Sequence, residues 1–217
     1  MFKRIFVRSF TAGLLLVVAA VGSAQESAPI KLPAPQTDGG EPLMQALKAR
    51  SSAREYSDQK LAPQTLSNLL WAAWGINRPD GHRTAPSASN KQEIDIYVVL
   101  PEGAYRWDAK TNVLNPVAAG DLRGATGTQP FPATAALNLV YVADMSKAGR
   151  PATDPQQALN VGADAGFIAE NAYLFCASEG LATVVRASVP KAELTKQLKL
   201  ADTQMIVLAQ SVGYPKK

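Results

Sequence analysis

The sequence predicts an α+β domain, because strand-like and helix-like segments mix along it without a regular β–α–β alternation. Three observations carry this. Segments 93–100, 138–143 and 205–212 are short, apolar and rich in β-branched residues, as buried strands are. Segments 63–74 and 155–179 space their apolar residues three and four apart, as helices do. Their order along the chain places strands between helices of unequal length.

The elements follow in order. Lys3, Arg4 and Arg8 precede an apolar run over 11–21, and Gly22-Ser23-Ala24 closes it with small residues. That is the layout of a cleavable secretory signal. The run falls short of the roughly 20 residues a membrane span needs. Residues 1–24 are therefore expected to be a signal peptide directing export, to a bacterial periplasm, with no membrane attachment after cleavage. Residues 25–40, rich in Pro, Gly and small polar residues, read as a linker or extended arm before a domain over 41–217. A first helix is expected over 41–49, with Leu43, Met44 and Leu47 as its apolar face. The second starts at Pro63, a favourable first-turn residue, and ends before Gly75. The stretch 76–92 is a long polar loop of the kind that carries function. Segments 104–108 and 112–116 form a hairpin, and short helical pieces are expected at 118–124 and 131–137. The long helix over 155–179 is apolar on most sides, which predicts burial in a core or at a subunit contact. Gly180 caps it, 181–186 is a strand, and 190–198 a short helix.

Composition narrows the function. The chain of 217 residues has a formal net charge of +4. Without the three leader cations, 19 basic residues face 18 acidic ones, so nothing favours nucleic acid as a partner. One cysteine, Cys176, rules out an intrachain disulfide and reads as a small buried hydrophobe. One histidine, His82, excludes His-rich metal sites, and no phosphate-binding glycine motif occurs. Arg186, after a buried strand segment, suits either a ligand contact or a structural ion pair, and Trp107 in the hairpin is expected near the surface.

Four polar segments remain. They are Arg50-Ser51-Ser52-Ala53-Arg54 after the first helix, Pro86-Ser87-Ala88-Ser89-Asn90-Lys91-Gln92 before a strand, Glu179-Gly180 after the long helix, and Gly213-Tyr214-Pro215-Lys216-Lys217 after the last strand. Two arginines four apart with hydroxyls between them suit a phosphate or a polar ring edge, through bidentate, charge-assisted donors. In this order and spacing the segments resemble the nitroreductase family of FMN-dependent oxidoreductases, and the loop before Ile94 looks closest to its branch of thiazole- and oxazole-forming oxidases.

The resemblance spans about residues 40–217 and implies a nitroreductase-like fold, with a central, mostly antiparallel sheet flanked by helices, and a homodimer with FMN at the subunit interface. It implies that Arg50 and Arg54, with Ser51 and Ser52 nearby, contact FMN. It places Asn90 on the isoalloxazine ring, from a second chain or across the pocket, with Gln92 in the same motif. It sets Glu179-Gly180 near flavin N5 and makes Lys216 or Lys217 a phosphate partner. The flavin then carries two-electron, ping-pong transfer to a small acceptor such as a nitroaromatic or quinone, with NAD(P)H a candidate donor. No side-chain acid or base and no metal are implied. The chain departs from the pattern in the polar Lys91-Gln92-Glu93 after Asn90 and in a C-terminal pair of lysines without arginine. The alternative is an FMN-binding redox or interaction protein with little NAD(P)H turnover.

Overall fold

In a computed structural model, residues 28–149, 151 and 153–217 are described. The expected signal at 1–24 lies outside them. Seven strands form one sheet in the order β1-β4-β3-β2-β5-β7-β6. They are β1 (Ile30–Lys31), β2 (Ile94–Leu100), β3 (Gly103–Asp108), β4 (Val113–Ala119), β5 (Leu137–Asp144), β6 (Ala182–Arg186) and β7 (Gln204–Gly213). Every pairing is antiparallel. The helices are α1 (Leu43–Ala49), α2 (Pro63–Trp74), α3 (Met145–Ala148), α4 (Pro155–Ser178) and α5 (Lys191–Gln197).

Both faces of the central strands are covered, which explains why they read as unbroken apolar runs. Alternate residues of a strand point to opposite faces. Ile94, Ile96 and Val98 of β2, with Leu137, Leu139 and Tyr141 of β5, join the core under α2 and α4. Their neighbours Tyr97, Val99, Val140 and Val142 join a second core with Leu194 of α5 and Leu198.

Helix α4 begins at Pro155, behind the Asp154 carboxylate, which caps the N–H groups of Gln156 and Gln157. It buries Val161, Ala165, Ile168, Ala169, Ala172 and Cys176 against the sheet. Burial pushes the Cys176 thiol up to about 12, so it is an unreactive core group. The opposite side of α4 is bare: Leu159 is 65% and Phe167 47% exposed, and nothing stands within 4 Å of a side chain added at Gly162 or Gly166.

Some elements differ from the sequence expectations. Leu43 and Met44 of α1 are 63% and 75% exposed, and Ala46 alone is buried. The apolar face of α1 therefore continues the bare side of the molecule. The helical piece expected at 118–124 starts only at Arg123, because Val113–Ala119 pairs with β3. The piece at 131–137 is one 3₁₀ turn over Phe131–Ala133, and Leu137 already belongs to β5. Trp107 is buried, not superficial, and its indole N–H donates to Asn112 Oδ1. The arm is an integral part of the domain. Lys31 pairs with Val113, Leu32 enters the core, Pro33 O accepts from Ser67 and Asn112, and the Glu41 N–H donates to Ser178 Oγ.

Leu139 lies in the middle of β5, fully buried between both neighbouring strands. Leu139→Ala is expected to destabilise the fold by about 2–5 kcal/mol, read as a lower urea midpoint with an unchanged m value.

Candidate functional site

The Arg50-to-Arg54 segment is held as a ribbon between two elements. On one side the Ala53 N–H donates to Thr183 O of β6 at 2.9 Å. On the other, Tyr56 bridges Pro215, the Ser57 N–H donates to Tyr214 O at 2.9 Å, and the Lys216 N–H donates to Glu55 O at 3.3 Å. This approach needs a glycine at 213, since a Cβ there would lie 3.0 Å from the Tyr56 ring and 3.1 Å from Ala136 N. Two segments more than 150 residues apart in sequence thus lie side by side, the first carrying Arg50 and Arg54 and the second Lys216.

Tyr173 of α4 organises this ribbon. Its hydroxyl lies 2.8 Å from Ser52 Oγ and accepts the Val185 N–H at 2.9 Å. The Arg50 guanidinium stacks on its ring, 5.4 Å from the centroid. Among the described residues, Arg50, Arg54, Lys216 and Lys217 join no ion pair, and Ser51 is exposed. Three or four cations without carboxylate partners form a surface suited to an anion.

Glu179 and Gly180 end α4. Gly180 has φ +65, the left-handed conformation that terminates helices. Its neighbours' N–H groups are used, Glu179 on Phe175 O and Leu181 on Cys176 O, while the Gly180 N–H donates to no backbone carbonyl among the described residues. A cleft of about 550 Å³ opens beside Glu179, walled by arm residues Gln36–Glu41, Trp71 of α2 and Phe175 of α4.

Asn90 and Gln92 lie elsewhere. Their loop packs on the first half of α4, where Asp164 accepts the Ala88 N–H at 2.9 Å. From Asp164 to Tyr173, which holds the ribbon, the helix rises roughly 14 Å, at about 1.5 Å per residue. One chain therefore does not bring Asn90 to the Arg50 ribbon. Gln92 is also occupied internally: Arg83 Nε donates to its Oε1, and its amide nitrogen donates to Gly81 O and Asn90 Oδ1. These bonds shape the loop. Asn90 is exposed at the edge of a cavity of about 420 Å³ shared with Arg78, His82 and Arg83.

The loop is strained. Ser89, Asn90 and Gln92 have φ of 53, 52 and 49, a left-handed region costing about 1–2 kcal/mol for each non-glycine residue. Such a conformation persists only where its surroundings enforce it. Gln92, Arg83 and Asp164 do so. Arg83 also donates to Trp74 O and stacks over the Trp74 ring at 4.8 Å.

Arg186 joins no ion pair among the described residues. It is buried, and its guanidinium donates to Ser211 Oγ, Thr126 O, Thr126 Oγ1 and Asn138 Oδ1, all neutral, and stacks on Phe131. Burial lowers it to about 10, so it stays charged at neutral pH and ties the Arg123–Thr126 turn to the sheet.

Residues 47–214 match the family model described as "Nitroreductase family", which is most of the chain. The chain belongs to the nitroreductase family. A nitroreductase-type structure from Ralstonia eutropha is 40% identical, covers 94% of this chain and 97% of its own, and superposes with a TM-score of 0.82. A protein of Methanocaldococcus jannaschii named as a nitroreductase is 28% identical over 176 residues, 76% of this chain and 88% of that protein. The NADPH:FMN oxidoreductase of Vibrio harveyi, solved with NAD+, shares the nitroreductase fold at 20% identity and a TM-score of 0.59, over 81% of this chain and 69% of that one.

Sequence reasoning missed Tyr173, Asp164 and Arg83 as site-building residues. The polar residues within the apolar α4 were the available signal for the first two. Arg83 stood in a polar loop with nothing to mark it. Tyr173→Phe removes the hydroxyl that accepts the Val185 N–H and partners Ser52. It is expected to cost about 1–2 kcal/mol, measured by chemical denaturation.

Proposed function

We propose that this chain is an exported FMN-dependent oxidoreductase of the nitroreductase type, acting as a homodimer with one flavin site at each end of the subunit contact. The observation that carries this reading is the backbone ribbon that sets the Arg50–Arg54 segment beside Lys216, none of these cations in an ion pair among the described residues, at the end of α4 where the Gly180 N–H donates to no backbone carbonyl among them. Those groups fit FMN. Arginine and lysine match a phosphate dianion, and an unpaired backbone N–H matches the edge of an isoalloxazine ring.

The dimer answers the separation along α4. A second copy laid against the bare face of Leu159, Gly162, Gly166 and Phe167, running antiparallel, would bring its Asn90 loop beside the first copy's Arg50 ribbon. Small residues let two helices approach closely, and the exposed Leu43 and Met44 extend the same apolar surface.

Bound FMN supplies the two-electron chemistry. The chain supplies orientation. Arg50 and Arg54 hold the phosphate, Ser52 is fixed by Tyr173, and the Gly180 N–H meets the reactive edge. The cleft beside Glu179 admits a small acceptor, with a quinone or nitroaromatic as the proposed class, and NAD(P)H is a candidate donor. The leader pattern at 1–24 supports export to a periplasm.

Purified mature protein is expected to be yellow or to gain a flavin band on addition of FMN, and to bleach anaerobically with a donor. Colourless protein that takes up no FMN rejects the reading. Bound flavin that NADH and NADPH leave oxidised points to a redox or interaction protein with another electron source. Arg50→Ala is expected to weaken FMN binding about 10- to 100-fold, the worth of one charge-assisted hydrogen bond, read by quenching of flavin fluorescence. Phe167→Asp is expected to give a monomer by light scattering, with flavin affinity lost in parallel. An intact dimer would reject this face as the contact.

A further inference from the structure

Beneath the Asn90 loop, two carboxyl groups are buried face to face. Glu93 is 1% exposed at the start of β2, and Asp164 is 2% exposed on α4. No donor meets either Glu93 carboxylate oxygen with hydrogen-bonding geometry. What faces them is the Asp164 carboxyl, whose Oδ2 accepts the Ala88 N–H at 2.9 Å. The other charged groups nearby are Lys147 on α3 and Lys91 in the loop. Lys147 is engaged by Asp95 at 3.3 Å and Asp144 at 4.0 Å. Lys91 is exposed at the rim of a cavity of about 280 Å³ that Glu93 lines with Ser89, Gln157 and Asn160.

Two carboxylates this close and this dry do not both ionise without cost. We propose that Asp164 and Glu93 are positioning residues for the Pro86–Gln92 loop: one proton held between their carboxyls keeps the loop latched to α4, and its loss releases the latch. The geometry connects proton and loop directly. Asp164 holds the loop's Ala88, and Glu93 follows the loop's last strained residue, Gln92. The loop's left-handed backbone at Ser89, Asn90 and Gln92 gives it reason to relax once the latch opens. The cavity gives the proton a path to solvent.

The sign follows from the environment. Burial first, then the facing Asp164, raise Glu93 from the ordinary carboxyl range to about 6. A raised acid binds its proton more tightly in the folded state, so the stabilisation holds at low pH and is lost as pH rises from the unfolded value through about 6. The consequence for flavin binding rests on the function proposed above, through Asn90; the latch itself does not.

Hydrogen–deuterium exchange on the full mature chain without FMN tests the latch, so its outcome is independent of the flavin reading. The reporting amides are Ala88, Asn90, Lys91 and Gln92, all hydrogen-bonded in the loop. Corrected for intrinsic exchange, their protection is expected to fall about tenfold between pH 5 and pH 7.5, while amides of β5 keep theirs. Glu93→Gln, which keeps the shape without the charge, is expected to hold loop protection constant over that range. Asp164→Asn removes the like charge but retains an acceptor, and is expected to do the same. Asp164→Ala is expected to lower loop protection about tenfold at every pH. Protection that does not vary with pH in the natural sequence overturns the proposal. So does a pH dependence that survives Glu93→Gln, or a β5 response in step with the loop.

Discussion

The structure depends on the packing of α4 across the sheet. Val161, Ala165, Ile168, Ala169, Ala172 and Cys176 bring the helix down onto strands β2, β6 and β7. Alanines along this face allow a close approach, so the helix backbone is held rigidly over the sheet. Every part of the candidate site is then measured from α4. The arginine ribbon is set by Tyr173, the Asn90 loop by Asp164, and the Gly180 N–H by the helix end itself.

That arrangement also explains why one chain looks incomplete. A straight helix holds its two halves at a fixed separation, and the site residues divide between them. The same helix presents a bare apolar side with two glycines, and α1 adds Leu43 and Met44 to it. A face this apolar is costly in water and suits a partner. The separation of the half-sites and the bareness of the helix are thus one structural fact seen from two sides.

Polar groups inside the domain do different kinds of work. Arg186 is a buried cation whose two terminal nitrogens donate to neutral oxygens while its Nε has no partner, and it joins the Arg123–Thr126 turn to β5, β6 and β7. Gln210 does similar work between strands, accepting from Tyr141 and donating to Thr183. Glu93 has no such satisfaction. Its orphaned oxygens beside Asp164 stand out because nearly every other buried polar side chain has a partner.

The sequence by itself determined the fold class, because burial on both faces of β2, β5 and β7 forces continuous apolar runs, and helical spacing marks α2 and α4. It also showed the polar segments whose order carries the family. Periodicity marked the apolar face of α1 without showing that it is bare, and placed Trp107 near the surface, because a one-dimensional pattern tells which side of an element is apolar and not what covers it. Only the tertiary structure decided which segments meet. Ribbon 50–56 joins 214–216 through long-range backbone pairing, and no local signal records a partner more than 150 residues away. The strained loop and the Glu93–Asp164 pair were invisible for the same reason: a left-handed residue or a shared proton is a property of the surroundings, and those surroundings exist only once α4 lies on the sheet.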